Sequence, residues 1–71
     1  MKDLEKNHRF VCTKNVHIGD GIIILKGDIV ELESLEIDSI DVVLMETVLY
    51  PEMEISINPD TFVDHFELIR N

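Results

Sequence analysis

The chain has 71 residues, 45% of them hydrophobic and 30% charged, with a formal net charge of −9 at pH 7. That length accommodates one small domain, which buries about 60% of the surface its unfolded form exposes, and it excludes a second core. The acidic balance excludes binding to nucleic-acid backbones and to anionic membrane surfaces, because both need a basic footprint.

Residues 1–7, Met-Lys-Asp-Leu-Glu-Lys-Asn, are polar and without a period, and are predicted as a flexible arm ahead of a single domain over 8–71. They lack the apolar region of a signal peptide, and no apolar run approaches the ~20 residues of a membrane span. From His8 the chain alternates, with Phe10 and Cys12 on one side and Val11 and Thr13 on the other, which predicts a first strand. Cys12 is the only cysteine, so an internal disulfide is excluded and a reducing, cytoplasmic setting is expected. Lys14–Gly21 has the composition of an excursion loop, with a short extended island at Val16-His17-Ile18.

The centre of the pattern is Ile22–Glu33, two apolar runs joined through Lys26-Gly27-Asp28. It reads as a strand, a tight reversal and a second strand paired with the first, with glycine supplying a positive φ and Asp28 bonding nearby backbone. Ser34–Ser39 is a polar connection to the next strand. In Ile40–Val48 the alternation places Ile40, Val42, Leu44 and Val48 on one face and Asp41, Val43, Met45 and Thr47 on the other. Leu49-Tyr50-Pro51 interrupts it, since Pro51 has no amide for a ladder. Met53–Ile57 alternates cleanly, with Met53, Ile55 and Ile57 inward. Asn58-Pro59-Asp60 then reads as a helix cap, a proline at the first helical position and a favourable first-turn charge. Phe62 and Phe66 share one face of a short helical turn, and Leu68-Ile69 leaves room for a last strand.

Taken together, these elements predict an all-β fold, a small antiparallel barrel of five to six short strands with one helical turn near the C-terminus. The order of elements, with Lys26-Gly27-Asp28-Ile29-Val30 between strands and Ile57-Asn58-Pro59 leading through Phe62 to His65-Phe66-Glu67, resembles SH3-like small barrels. It is also similar to short proteins of bacterial and phage genomes built on that plan. The resemblance implies a fold and no activity. The clustered aromatics of a proline-peptide groove are missing, with Tyr50 the only tyrosine and no tryptophan, so proline-rich ligands are not expected.

No residue pattern points to catalysis, a cofactor or a metal. His8, His17, His65 and Cys12 lack the paired spacing of a metal site, and Cys12 has the setting of a small buried hydrophobe. Gly19-Asp20-Gly21 lacks the helix and lysine of a phosphate loop. Charge is the informative feature. Residues 1–14 carry four basic and two acidic side chains, whereas 15–71 carry two basic and thirteen acidic ones. Between Asp28 and Glu54 there are nine carboxylates and no base.

Two interaction surfaces follow from this pattern. Alternate strand residues lie ~6.6 Å apart on one face, so Glu31, Glu33, Glu36, Asp38, Asp41, Glu52 and Glu54 could form an acidic face for a basic protein partner. In its sharpest form this face imitates a nucleic-acid backbone and inhibits a nucleic-acid-binding host protein, as a phage or mobile-element accessory protein would. Val43, Met45, Leu49 and Tyr50 form an alternative apolar interface for assembly, self-pairing included. A merely solubilising acidic surface is the simpler alternative.

Overall fold

Along Ile40–Leu44 burial alternates, with Ile40, Val42 and Leu44 buried and Asp41 and Val43 half-buried on the opposite face. The same device recurs throughout the chain. In a computed structural model, which describes residues 8–19 and 21–70, it produces seven strands and one helix. The strands are β1 (Arg9–Cys12), β2 (Val16–Ile18), β3 (Ile22–Ile24), β4 (Ile29–Leu35), β5 (Ile40–Leu44), β6 (Met53–Ile57) and β7 (Phe66–Leu68), and the helix is α1 (Pro59–His65). The arm expected over 1–7 lies outside the described residues.

Five strands form one antiparallel sheet in the order β6-β5-β4-β1-β7, and β2 and β3 form a separate two-stranded sheet. One face of the large sheet supplies Phe10, Cys12, Val30, Leu32, Ile40, Val42, Leu44, Ile55, Ile57 and Phe66 to the core. Val16 and Ile24 from the hairpin and Phe62 from α1 complete it. The fold is therefore mostly antiparallel β with one short helix, as expected, but it has seven strands rather than five to six, because Val16–Ile18 is a strand paired with Ile22–Ile24, and neither sheet closes on itself into the expected barrel.

The chain ends α1 and enters β7 through a compact aromatic arrangement. Asn58 caps the helix, its Oδ1 accepting from the Asp60 N–H at 2.8 Å and the Thr61 N–H at 3.4 Å, and Pro59 opens the first turn. Phe62 and Phe66 stack at 5.0 Å, and the Phe10 ring meets Phe62 edge-on at 4.8 Å. The Thr13 N–H and hydroxyl both donate to the His65 carbonyl, at 2.7 and 3.0 Å, tying the end of the helix to the chain leaving β1. The two rings do meet, but not on one helical face as expected: α1 runs from Pro59 to His65, and Phe66 already has the extended backbone that opens β7, so the stack joins the helix to the strand.

Two further sequence expectations are corrected. Ile22–Ile24 and Ile29–Leu35 are not a pair. β3 pairs with β2, in register Val16↔Ile24, His17↔Ile23 and Ile18↔Ile22, while β4 pairs with β1 and β5. The Lys26-Gly27-Asp28 reversal carries the chain from one sheet to the other. The Asp28 N–H donates to the Leu25 carbonyl at 2.9 Å with Gly27 at φ 98°, and the Asp28 carboxylate accepts from the Leu25 N–H at 3.0 Å. The Gly27 N–H donates to the Cys12 carbonyl, and the Cys12 N–H to the Asp28 carbonyl, each at 2.8 Å. β1 thereby occupies the place beside β4 that a simple hairpin would have given to β3. The second correction is Val48, expected inward: β5 ends at Leu44, and Val48 stands fully exposed in the connection to β6.

Candidate interaction surface

The outer face of the large sheet is set by its register. Glu54 of β6 stands opposite Val43 of β5, Val43 opposite Glu31 of β4, and Glu31 opposite Arg9 of β1, so these four form one row across four strands. The Ile69 N–H donates to the Arg9 carbonyl at 2.9 Å and extends the row past β7. A second row is Ser56, Asp41 and Ser34. In a third, the Met45 N–H donates to the Ile29 carbonyl at 3.1 Å, Ile29 faces Val11, and Val11 faces Glu67. Val11, Ile29, Val43, Met45 and Ile69 are all half-buried. The outer face is thus a shallow apolar strip crossed by Glu31 and bordered by Glu54 and Glu67, with Glu52 just ahead of β6.

Glu54 and Glu31 lie two strand spacings apart, roughly 10 Å, about one Debye length in ordinary salt, so their mutual repulsion is weak. Each can face the same partner. The Arg9 Nε stands 3.9 Å from Glu31 Oε2, an open pair worth no more than about 1 kcal/mol. It leaves the face acidic overall.

Of the acidic residues proposed from sequence, Glu31, Asp41 and Glu54 share the outer face. Asp41 is already engaged: its carboxylate accepts from Ser34 Oγ at 3.0 Å and from Ser56 Oγ at 2.5 Å, bridging the three strands. Glu33 is the extra residue where the β4–β5 register shifts between Leu32 and Ser34. That bulge interrupts the row Glu31 and Glu33 were expected to form. Glu36 and Asp38 are exposed in the β4–β5 turn, which the Glu36 N–H closes on the Ser39 carbonyl at 2.9 Å.

The proposed apolar residues divide in a similar way. Val43 and Met45 lie among the outer-face rows, whereas Leu49 is exposed in the 45–52 connection. Tyr50 packs against the core, and its hydroxyl accepts from the Ile23 N–H at 3.1 Å, docking that connection onto β3. The acidic and apolar sets, which looked like alternatives in the sequence, are therefore interleaved on one face through Val43, Met45, Glu31 and Glu54. Val11, Ile29 and Arg9 belong to the same face. Their alternation was visible, but the placement of β1 beside β4 was not.

Other reactive groups have local explanations. The Cys12 thiol is buried and donates to the Lys14 carbonyl at 2.9 Å, and burial pushes its pKa above the ordinary thiol value. His65 places Nδ1 3.0 Å from the Thr61 carbonyl oxygen and 3.5 Å from the Asp64 carboxylate. Among the described residues, no group of three or more His, Cys, Asp and Glu is arranged to hold a metal ion. No helix among them is long and apolar enough to cross a membrane. Comparison with protein-family models, with curated proteins and with solved structures finds no match for this chain.

Proposed function

We propose that the protein is a non-enzymatic interaction module whose outer sheet face binds a basic protein, of the kind that itself binds nucleic acid. The observation carrying this reading is the row Glu54, Val43, Glu31, in which carboxylates alternate with apolar surface on one rigid sheet. Carboxylates steer a basic partner and set its orientation. The half-buried aliphatic side chains between them supply apolar area that a purely solubilising surface has no use for.

In its specific form the module occupies the nucleic-acid site of a host protein and inhibits it, as an accessory protein of a phage or mobile element. An SH3-like plan, with the β2–β3 hairpin as the excursion after the first strand, is part of the same reading and supplies a small rigid scaffold. The assembly alternative draws on the same face through Val43 and Met45, and a second copy docking there would bring the acidic groups beside them, Glu31 and Glu54, against an equally acidic surface. That like-charge approach is unfavourable, and a basic partner is preferred.

The test is affinity capture from a bacterial lysate at low and high salt, comparing the wild type with a Glu31→Gln/Glu52→Gln/Glu54→Gln variant. Asp41 is left intact because the two serines depend on it. The expected result is a nucleic-acid-binding protein held by the wild type, released by salt and lost with the variant. Capture unaffected by the three substitutions would contradict the reading.

A further inference from the structure

The free edge of β6 carries an inference beyond the outer face. Hydrogen bonding alternates along antiparallel strands, so the bond from Met45 N–H to Ile29 carbonyl directs the backbone of Met45 and Val43 toward β4. Leu44, Val42 and Ile40 then bond to their partners Met53, Ile55 and Ile57 of β6. The N–H and C=O groups of Glu54 and Ser56 consequently point away from the sheet. Among the described residues, no backbone group pairs with that edge.

An open cleft of about 300 Å³ lies at this edge, lined by Glu54, Ile55 and Ser56 on one side and by Ile18, Gly19 and Ile22 at the end of the β2–β3 hairpin on the other. It coincides with the place where the two sheets fail to join. Among the described residues, its walls combine two donor–acceptor pairs of an edge strand, aliphatic side chains from Ile18 and Ile22, and the Glu54 carboxylate. Among the described residues, no basic side chain lines it.

We propose that this cleft takes an extended segment of a partner protein as an additional antiparallel strand on β6. The residue standing opposite Ile55 points inward and is apolar, meeting Ile18 and Ile22. The residue opposite Glu54 points outward and is lysine or arginine, pairing with the carboxylate. Backbone pairing gives the segment its direction and register, and the alternation of basic with aliphatic residues gives it selectivity. The charge preference rests on the basic-partner reading above, whereas the strand addition rests on the edge itself.

The test uses a short synthetic peptide alternating lysine with valine, titrated into the full chain. A second peptide of the same sequence has N-methyl groups on the amides that would face β6. The expected result is hydrogen-exchange protection of the Glu54 and Ser56 amides by the first peptide and binding at least about tenfold weaker for the second. A Glu54→Lys variant should reverse the preference, favouring a glutamate–valine peptide over the lysine–valine one. Equal binding of the plain and N-methylated peptides, or binding without protection at Glu54 and Ser56, would overturn strand addition while leaving the basic-partner reading in place. Absence of binding by either peptide would also overturn it, and the basic-partner reading would then stand or fall on its own lysate capture.

Discussion

The Ser56 hydroxyl donates to Asp41 Oδ1 at 2.5 Å, fastening β6 to β5 on the outer face of the sheet. Ser34 does the same from the other side, donating to Oδ2 at 3.0 Å, so a single carboxylate spans three strands. Hydrogen bonds to a charged acceptor are stronger than neutral ones, but this site is partly open to water. Ser56→Ala and Ser34→Ala should each destabilise the fold by about 0.5–1.5 kcal/mol. Urea unfolding of the single variants and of the Ser34→Ala/Ser56→Ala pair checks this. Wild-type midpoints in all three would show that Asp41 clamps nothing.

Phe62 is the aromatic hinge of the core, stacked on Phe66 and met edge-on by Phe10. Phe62→Ala should cost about 3–5 kcal/mol, comparable with the whole stability of a domain this small. Loss of cooperative thermal unfolding by circular dichroism is the expected outcome, and Phe62→Leu should retain a cooperative but lower transition.

Gly27 adopts φ 98° in the reversal that takes the chain from β3 to β4, and a Cβ there meets open space. The penalty for Gly27→Ala is therefore backbone strain alone, about 1–2 kcal/mol. Its N–H still reaches the Cys12 carbonyl, so the fold should survive with a lower urea midpoint. A substitution with no cost would mean the turn relaxes to another geometry.

The raised pKa of Cys12 has a definite sign for stability. Below the ordinary thiol pKa of about 8.5, both the folded and the unfolded chain hold the proton and the full stability is present. As pH rises above that value the unfolded chain ionises first, so stability falls until the raised folded pKa is passed. Cys12→Ala should flatten this alkaline loss relative to wild type in unfolding curves taken across that window. The native thiol should also resist a disulfide reagent at pH 8 and react only through opening of the core.

Local patterning made most elements legible. Alternation in Met53–Ile57 and the Asn58-Pro59 cap each depend on near neighbours, and each is found in the fold. The spacing of Phe62 and Phe66 suggested one helical face, but the helix ends at His65 and Phe66 meets Phe62 from the start of β7. Pairing is a different kind of information. Nothing local in three consecutive isoleucines says that Ile22–Ile24 will turn back onto Val16–Ile18 instead of joining Ile29–Leu35. The choice is made by β1, whose Cys12 bonds Gly27 and Asp28 and so claims the edge of β4. The candidate surface inherits the same limit. Glu31 and Val43 were each visible as outward residues, but their placement in one row, and the bulge that separates Glu33 from it, come from the register of β4 against β5.

The most direct measurement compares two outer-face variants in the lysate capture, Glu31→Gln/Glu54→Gln and Val43→Thr/Met45→Gln, each first shown to unfold cooperatively. If carboxylates and aliphatic side chains act as one surface, both variants lose the same basic partner, and only the wild type's complex shows steep weakening with salt. Retention of that partner by either folded variant would contradict a single shared surface.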